Sequence, residues 1–316
     1  MIKLLIPLYN DWDALELLLE QIKRDVSKEL FQKLSFVIVD DCSSIPCEAE
    51  RFKEFDLTII RLWRNVSHQK AIALGLSYLT DQTSFESILV MDSDGEDKPS
   101  DIERLYLASQ QIPNKIIFAR RAKRSEGIVF RIGYLVYKAL FDLLTGKAIA
   151  FGNFSIIPFA QAQKLAYVSE IWNHFPGGVI RSKLPYDSIP IERGTRLAGK
   201  SKMNFVSLVL HGLSAVSVHL DTVAVRILIG SLMMTAFAGV IAIIVTIVRL
   251  LSPEHTSPGW ATTLVTAAII VIMQAFLSSL FLLFTVLNYR TQRHFIPAKE
   301  YHDFIQKVES SQALSI

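Results

Sequence analysis

The sequence predicts an α/β domain on a mostly parallel sheet, followed by amphipathic helices and a two-helix transmembrane hairpin. Three observations carry this. Charge-poor apolar runs alternate with segments of helical period through the first 121 residues, the pattern of strands buried on both faces by helices. Each run ends in a polar cluster, and such sheets bind ligands beyond the carboxyl ends of their strands. Two long uncharged stretches follow, at 227–248 and 261–287.

The chain has 316 residues, enough for two domains of ordinary size. It is 51% hydrophobic and 20% charged, and the apolar surplus lies after residue 226. A net charge of +3 argues against nucleic acid as a partner. Cys42 and Cys47 make neither a disulfide framework nor a metal-ligand set, and read as reduced thiols of a cytosolic domain. The chain enters its first apolar run at Ile2, so that run is too short for a signal peptide.

Residues 2–8 form the first expected strand, leading to Tyr9 and Asn10. A helix over 13–23 follows, with Ala14, Leu17, Leu18 and Ile22 on its inner face. Strand 35–39 ends in Asp40 and Asp41, and strand 57–62 in Trp63-Arg64-Asn65. Helix 68–79 turns Ala71, Leu74 and Tyr78 inward. Strand 88–91 ends in the acidic cluster below. Ser100 and Glu103 then form an expected capping box. Strand 115–119 ends in Arg120 and Arg121.

Asp92, Asp94, Glu96 and Asp97 crowd one strand end. Residues i and i+2 of an extended chain point the same way. Asp92 and Asp94 can then approach one ion, with Glu96 adding a third oxygen. Oxygen-only ligands suit Mg2+ or Mn2+, and Gly95 permits a tight turn. The same residues also read as a solvated acidic turn. Asp11-Trp12-Asp13 has identical spacing and reads only as a helix start.

Residues 128–145 form an amphipathic helix with Arg131, Tyr134, Tyr137 and Lys138 beside its apolar face. It fits a core helix or a helix in the membrane interface. Residues 205–225 read as a juxtamembrane amphipathic helix. Spans 227–248 and 261–287 each exceed the ~20 residues needed to cross the hydrocarbon. The hairpin 226–288 is followed by an expected tail, 289–316. Arg226, Arg290, Arg293 and Lys299 flank the hairpin on one side, against Arg249 alone in the connector. Both termini and the domain 1–204 are therefore expected in the cytoplasm, with the hairpin in the inner membrane.

Taken in order, Ile6-Pro-Leu-Tyr-Asn10, Val39-Asp-Asp-Cys-Ser43, Arg64-Asn-Val-Ser-His-Gln-Lys-Ala71, Asp92-Ser-Asp-Gly-Glu-Asp-Lys-Pro99 and Arg196-Leu-Ala-Gly-Lys-Ser-Lys202 resemble the family 2 glycosyltransferases with a GT-A fold. More narrowly they resemble the polyprenyl-phosphate type, such as dolichyl-phosphate mannose synthase and its bacterial undecaprenyl-phosphate relatives. The resemblance implies that Pro7, Tyr9, Asn10, Asp41, Asn65, Lys70 and Asp92 hold a nucleotide-sugar, with UDP the commonest nucleotide. Asp92, Asp94 and Glu96 would bind Mg2+ or Mn2+. Arg121, Arg124, Arg131 and Arg196 would hold the acceptor phosphate, and Lys202 joins Asp94, Arg121, Arg131 and Arg196 as a catalytic candidate. It also implies inversion at the anomeric carbon and a possible tetramer. Asn153 stands where many relatives have Asp, and Cys42 and Ser67 where they have Gly. An enzyme extending a lipid-linked glycan and a catalytically silent membrane scaffold are the alternatives.

Overall fold

Charge-poor apolar runs are best satisfied between two layers, and each becomes an inner strand. β1 is Ile2–Leu8, β2 Leu34–Asp40, β3 Leu57–Leu62, β4 Ser87–Val90 and β5 Ile116–Arg121. Helices α1 (Trp12–Asp25), α2 (His68–Gln82) and α3 (Ser100–Gln111) alternate with them. The computed structural model describes residues 1–45, 47–82, 85–121, 138–147, 151–192, 194–198, 205–251, 259–292 and 294–311. The chain divides into two compact units, Met1–Tyr134 with Ala148–Val218 and His294–Ile316, and Leu135–Lys147 with His219–Arg293.

The first unit holds an eight-stranded sheet, completed by β6 (Ser155–Pro158), β7 (Tyr186–Ile191) and β8 (Ile305–Ser310), in the order β7-β5-β6-β4-β1-β2-β3-β8. β1 pairs in parallel with both β2 and β4, β2 with β3, and β5 with β7. β6 lies antiparallel between β4 and β5, and β8 antiparallel on the β3 edge. Ile2, Leu4 and Ile6 of β1 face a core with Leu15, Leu18 and Leu105, while Leu5 faces the other way onto Leu74 and Leu76. Successive strands run outward from β1 in opposite directions, so the crevice lies beyond the ends of β1 and β4. Two helices, α4 (Phe159–Ala166) and α5 (Phe175–Ser182), follow β6.

Three expectations are corrected here. Leu17 points to solvent, and the buried stripe of α1 is Ala14, Leu15, Leu18, Leu19 and Ile22. The run Leu17-Leu18-Leu19 supports either phase of the helical period, and packing selects one. Ser100 does not cap α3. Pro99 already has helical backbone angles, so the cap falls one residue earlier, and Glu103 accepts from Ser27 Oγ at 3.0 Å. The segment 205–225 is not one helix, because α6 (Phe205–Ser217) ends before α7 (Leu220–Leu251) begins.

The expected tail is largely structure. His294 onward belongs to the first unit and ends in β8. Tyr301 is fully buried and donates to Asp81 Oδ2 at 2.6 Å. Phe295 and Phe304 pack on Trp172 with ring centroids 4.0 and 5.2 Å away. Arg61 of β3 bridges Asp40 of β2 (2.9 Å) and Glu309 of β8 (2.7 Å).

In the second unit α7 and α8 (Trp260–Thr291) contain the two spans. Only 6% of the most apolar window of each is buried, unlike the core helix of a soluble protein. The helices meet through Ser279 Oγ donating to Ser231 Oγ at 2.7 Å. Residues 138–145 are helical, and Arg226 donates to the carbonyls of Asp142 (3.1 Å) and Leu143 (2.6 Å) at their end, a favourable place for a cation. The rest of the expected helix 128–145 lies outside the described residues.

Truncating Tyr301 to Ala should destabilise the first unit by about 3–5 kcal/mol. Tyr301→Phe should cost only about 1 kcal/mol, the lost hydrogen bond. Denaturant unfolding followed by tryptophan fluorescence measures both.

Candidate active site

β4 ends at Val90, and the chain turns instead of staying extended through Asp94. Gly95 has φ +81°, and Asp94 Oδ1 accepts from the Glu96 amide at 2.9 Å. Buried Asp97 accepts from the Asp92 amide at 3.2 Å. The turn therefore gathers the acids that extended geometry was expected to align. Burial, and then the charge of Asp92, push the Asp94 carboxyl above its ordinary pKa. Among the described residues, no three His, Cys, Asp or Glu side chains form a ready metal cage.

A loop after β7 is laid against this turn. Gly194 N donates to Glu96 O at 2.8 Å, and Leu197 N to Asp94 O at 2.9 Å. A Cβ on Gly194 would stand 2.6 Å from Gly95 O, so only glycine permits the approach. The pairing carries Arg196 to the acids. Its Nη2 lies 2.6 Å from Asp94 Oδ2, and its Nη1 3.8 Å from Asp11 Oδ2.

A second basic side chain comes from the start of α2. His68 Nε2 is 3.0 Å from Asp92 Oδ1 and 3.0 Å from Asn153 Nδ2. Gln69 Nε2 donates to Asn153 Oδ1 at 3.0 Å, and Gln69 Oε1 accepts from the Phe175 amide at 2.6 Å. A backbone N–H can only donate, so Phe175 orients both side-chain amides. Asn153 then offers an N–H to Nε2. That nitrogen can accept from Asn153 or donate to Asp92, but not both. Burial opposes a charge on His68, yet Asp92, Asp94 and Asp97 outweigh it and raise its pKa.

The remaining expected residues divide. Asn10 (φ +53°) ties its own loop to the next, accepting from Ile45 N at 3.0 Å and donating from its amide nitrogen to Ser44 Oγ at 3.0 Å. Asp41 is buried and accepts from the amides of Val66 (2.6 Å) and Ser67 (2.9 Å), while Asn65 donates to Asp41 O at 3.1 Å. These three tie together the loops that follow β1, β2 and β3. Pro7 lies within β1, and Tyr9 is exposed just beyond it. Lys70 sits 5.2 Å over the Trp172 ring. Arg121 ends β5, with its side chain outside the described residues, as are Arg124, Arg131 and Lys202. Sequence reasoning assigned no site role to His68, Gln69, Asp11 or Asp97. Polar residues at a helix start directly after a strand are the signal that could have found the first two.

An acid-rich turn met by an arginine at the switch point of a mostly parallel sheet defines an α/β enzyme of the GT-A kind. The sequence profile of Glycosyl transferase family 2 matches residues 4–172, more than half of the chain, and the chain belongs to that family of glycosyltransferases. It is similar to the undecaprenyl-phosphate 4-deoxy-4-formamido-L-arabinose transferase of Photorhabdus laumondii, 28% identical over 153 residues, covering 47% of this chain and 45% of the relative. The enzyme of that name from Yersinia enterocolitica is 25% identical over the same shares. The chain thus matches under half the length of these curated relatives. Among solved structures, glucosyl-3-phosphoglycerate synthase from Mycobacterium tuberculosis aligns with TM-score 0.49 and 12% identity, over 70% of this chain and 79% of that one. TarS of S. aureus aligns with TM-score 0.45 and 12% identity, over 87% and 80%.

Burial lifts the Asp41 carboxyl to about 6, against the pull of two backbone amides. A folded-state pKa above the ordinary value means stability from this group is full below pH ~4 and lost as pH rises through ~6, by up to about 3 kcal/mol. Unfolding measured from pH 4 to 7 should show that fall, and Asp41→Asn should flatten it.

Proposed function

We propose that this glycosyltransferase moves a sugar, with inversion, from a nucleotide diphosphate onto the phosphate of a membrane polyprenyl carrier. The observation that carries the reading is the acidic turn 92–97 held against Arg196 at the end of β1 and β4, in a chain with two exposed apolar helices. The names of the curated relatives support the undecaprenyl-phosphate acceptor.

The donor set fits a hard divalent cation, Mg2+ or Mn2+. Asp92, Asp94 and Glu96 offer only oxygens, and their crowding, which raises the pKa of Asp94, is relieved by added positive charge. When bound, the cation supplies charge neutralisation for a leaving diphosphate. The acceptor phosphate, with a second pKa near ~6, is anionic at neutral pH and needs placing more than deprotonating. Arg196 places it through its forked donors, joined in this proposal by Arg121, Arg124, Arg131 and Lys202. Asp41, Asn10 and Asn65 shape the crevice for the nucleoside, with Pro7, Tyr9 and Lys70 at its edges. Because no base is required, an amide at Asn153 is compatible with turnover. The flanking cations support a first unit on the cytoplasmic side of a bacterial inner membrane.

Membranes carrying the protein are incubated with undecaprenyl phosphate, Mg2+ or Mn2+ and a panel of labelled nucleotide-sugars. One sugar on the carrier is expected, abolished by EDTA and restored by the cation. Asp94→Ala should lower the rate at least about a hundredfold. Products bearing several sugars would replace this reading with lipid-linked glycan extension, and nucleotide-sugar binding without transfer would replace it with a silent scaffold.

A further inference from the structure

Gln69 follows His68 in the first turn of α2 and is buried. Adjacent residues of a helix point about 100° apart, so the two side chains leave in different directions. His68 meets Asp92. Gln69 touches none of the acids. Among the described residues its amide bonds only to the Phe175 N–H and to Asn153 Oδ1. It thereby joins α2 to the first residue of α5 and to the residue two before β6.

Asn153 is held at both ends in the same way. Gln69 holds its oxygen, and its nitrogen stands 3.0 Å from His68 Nε2. That ring nitrogen is in turn 3.0 Å from Asp92 Oδ1, which is buried. The Phe175 backbone donor cannot reverse, so the whole row has one polarity. With the row cut at Gln69, Asn153 is free to turn over and bring a carbonyl to Nε2 in place of an N–H.

We propose that Gln69 is a positioning residue for the cation site. It fixes Asn153, Asn153 fixes the His68 ring, and the ring fixes the carboxylate of Asp92. Groups that hold the ligands of a metal in this way govern its affinity without touching it. The inference rests on the reading of the acidic turn as a cation site, and not on the sugar or the acceptor.

The test uses purified full-length protein in detergent. Mn2+ is titrated at a fixed concentration of UDP against a protein-free blank, and free Mn2+ is read by electron paramagnetic resonance. Wild type should bind Mn2+, and Asp94→Ala should not. Gln69→Leu should weaken binding roughly tenfold, and Asn153→Ala by a similar factor. Because Gln69 acts through Asn153, Gln69→Leu added to Asn153→Ala should cost no more than about a further twofold. Where Gln69→Leu does not elute as folded protein, Gln69→Asn takes its place in the cycle. Its amide is one methylene too short to span Phe175 and Asn153 together. Unchanged Mn2+ affinity in the folded Gln69 variant overturns the proposal. So does an equal loss with and without Asn153, which would make Gln69 only a support for α5. Absence of Mn2+ binding in wild type, or equal binding in Asp94→Ala, overturns the cation site and this inference together. Mn2+ binding without transfer in the membrane assay overturns the transfer reaction alone.

Discussion

Like charge at the end of β4 is the constraint on which the candidate site depends. Asp92, Asp94, Glu96 and Asp97 fall within six consecutive positions, and a turn that gathers them is unfavourable by itself. The structure answers with basic side chains from elsewhere in the chain, Arg196 after β7 and His68 at the start of α2. Both lie far from the acids in sequence, so the turn is stable only once the sheet has formed. This is also a reason for the two glycines. Gly95 takes the positive φ, and Gly194 lets one backbone lie directly on the other. Without that approach Arg196 could not reach Asp94 through a 2.6 Å contact.

Sheet topology decides where this happens. β1 sits between β2 and β4, and the chain leaves β1 in one direction and returns on its other side. Loops on the two sides of that switch point diverge and leave a crevice. Asp11 after β1 and Asp94 after β4 flank Arg196 there. Asp40, one strand along, is instead neutralised by Arg61, which also holds β8 through Glu309. The two adjacent acids Asp40 and Asp41 thus differ in use: one joins three strands, and the other orders the turn at 66–67 through its backbone amides.

β1 to β5 were legible because a charge-poor apolar run has few other places to go. The apolar spans were legible for the same reason. β6 and β8 were not. β6 is a four-residue segment ending in Pro158, and β8 is an edge strand whose sequence, Ile-Gln-Lys-Val-Glu-Ser, looks like exposed chain. Edge strands are kept short and charged to discourage aggregation, which hides them from pattern reading. The anchors that hold β8 in place, Tyr301, Phe295 and Phe304, meet partners more than 100 residues away. In the site, the acids announced themselves by density. Their partners did not, because a single histidine or arginine gains meaning only from the residue it faces.

Asn153 shows how a single atom type can set the character of such a network. The Phe175 amide orients Gln69, Gln69 orients Asn153, and Asn153 presents a donor to His68. A carboxylate at position 153 would accept from Gln69 and from Nε2 alike, and His68 could carry its proton with every group satisfied. The amide removes that solution. With Asn153, His68 either pairs with Asp92 and leaves an amide hydrogen unanswered, or accepts from Asn153 and turns a lone pair towards Asp92. The second arrangement removes the charge of His68 from beside Asp92. An amide here therefore does more than delete a base. It weakens the pairing of His68 with the residue where the acidic turn begins.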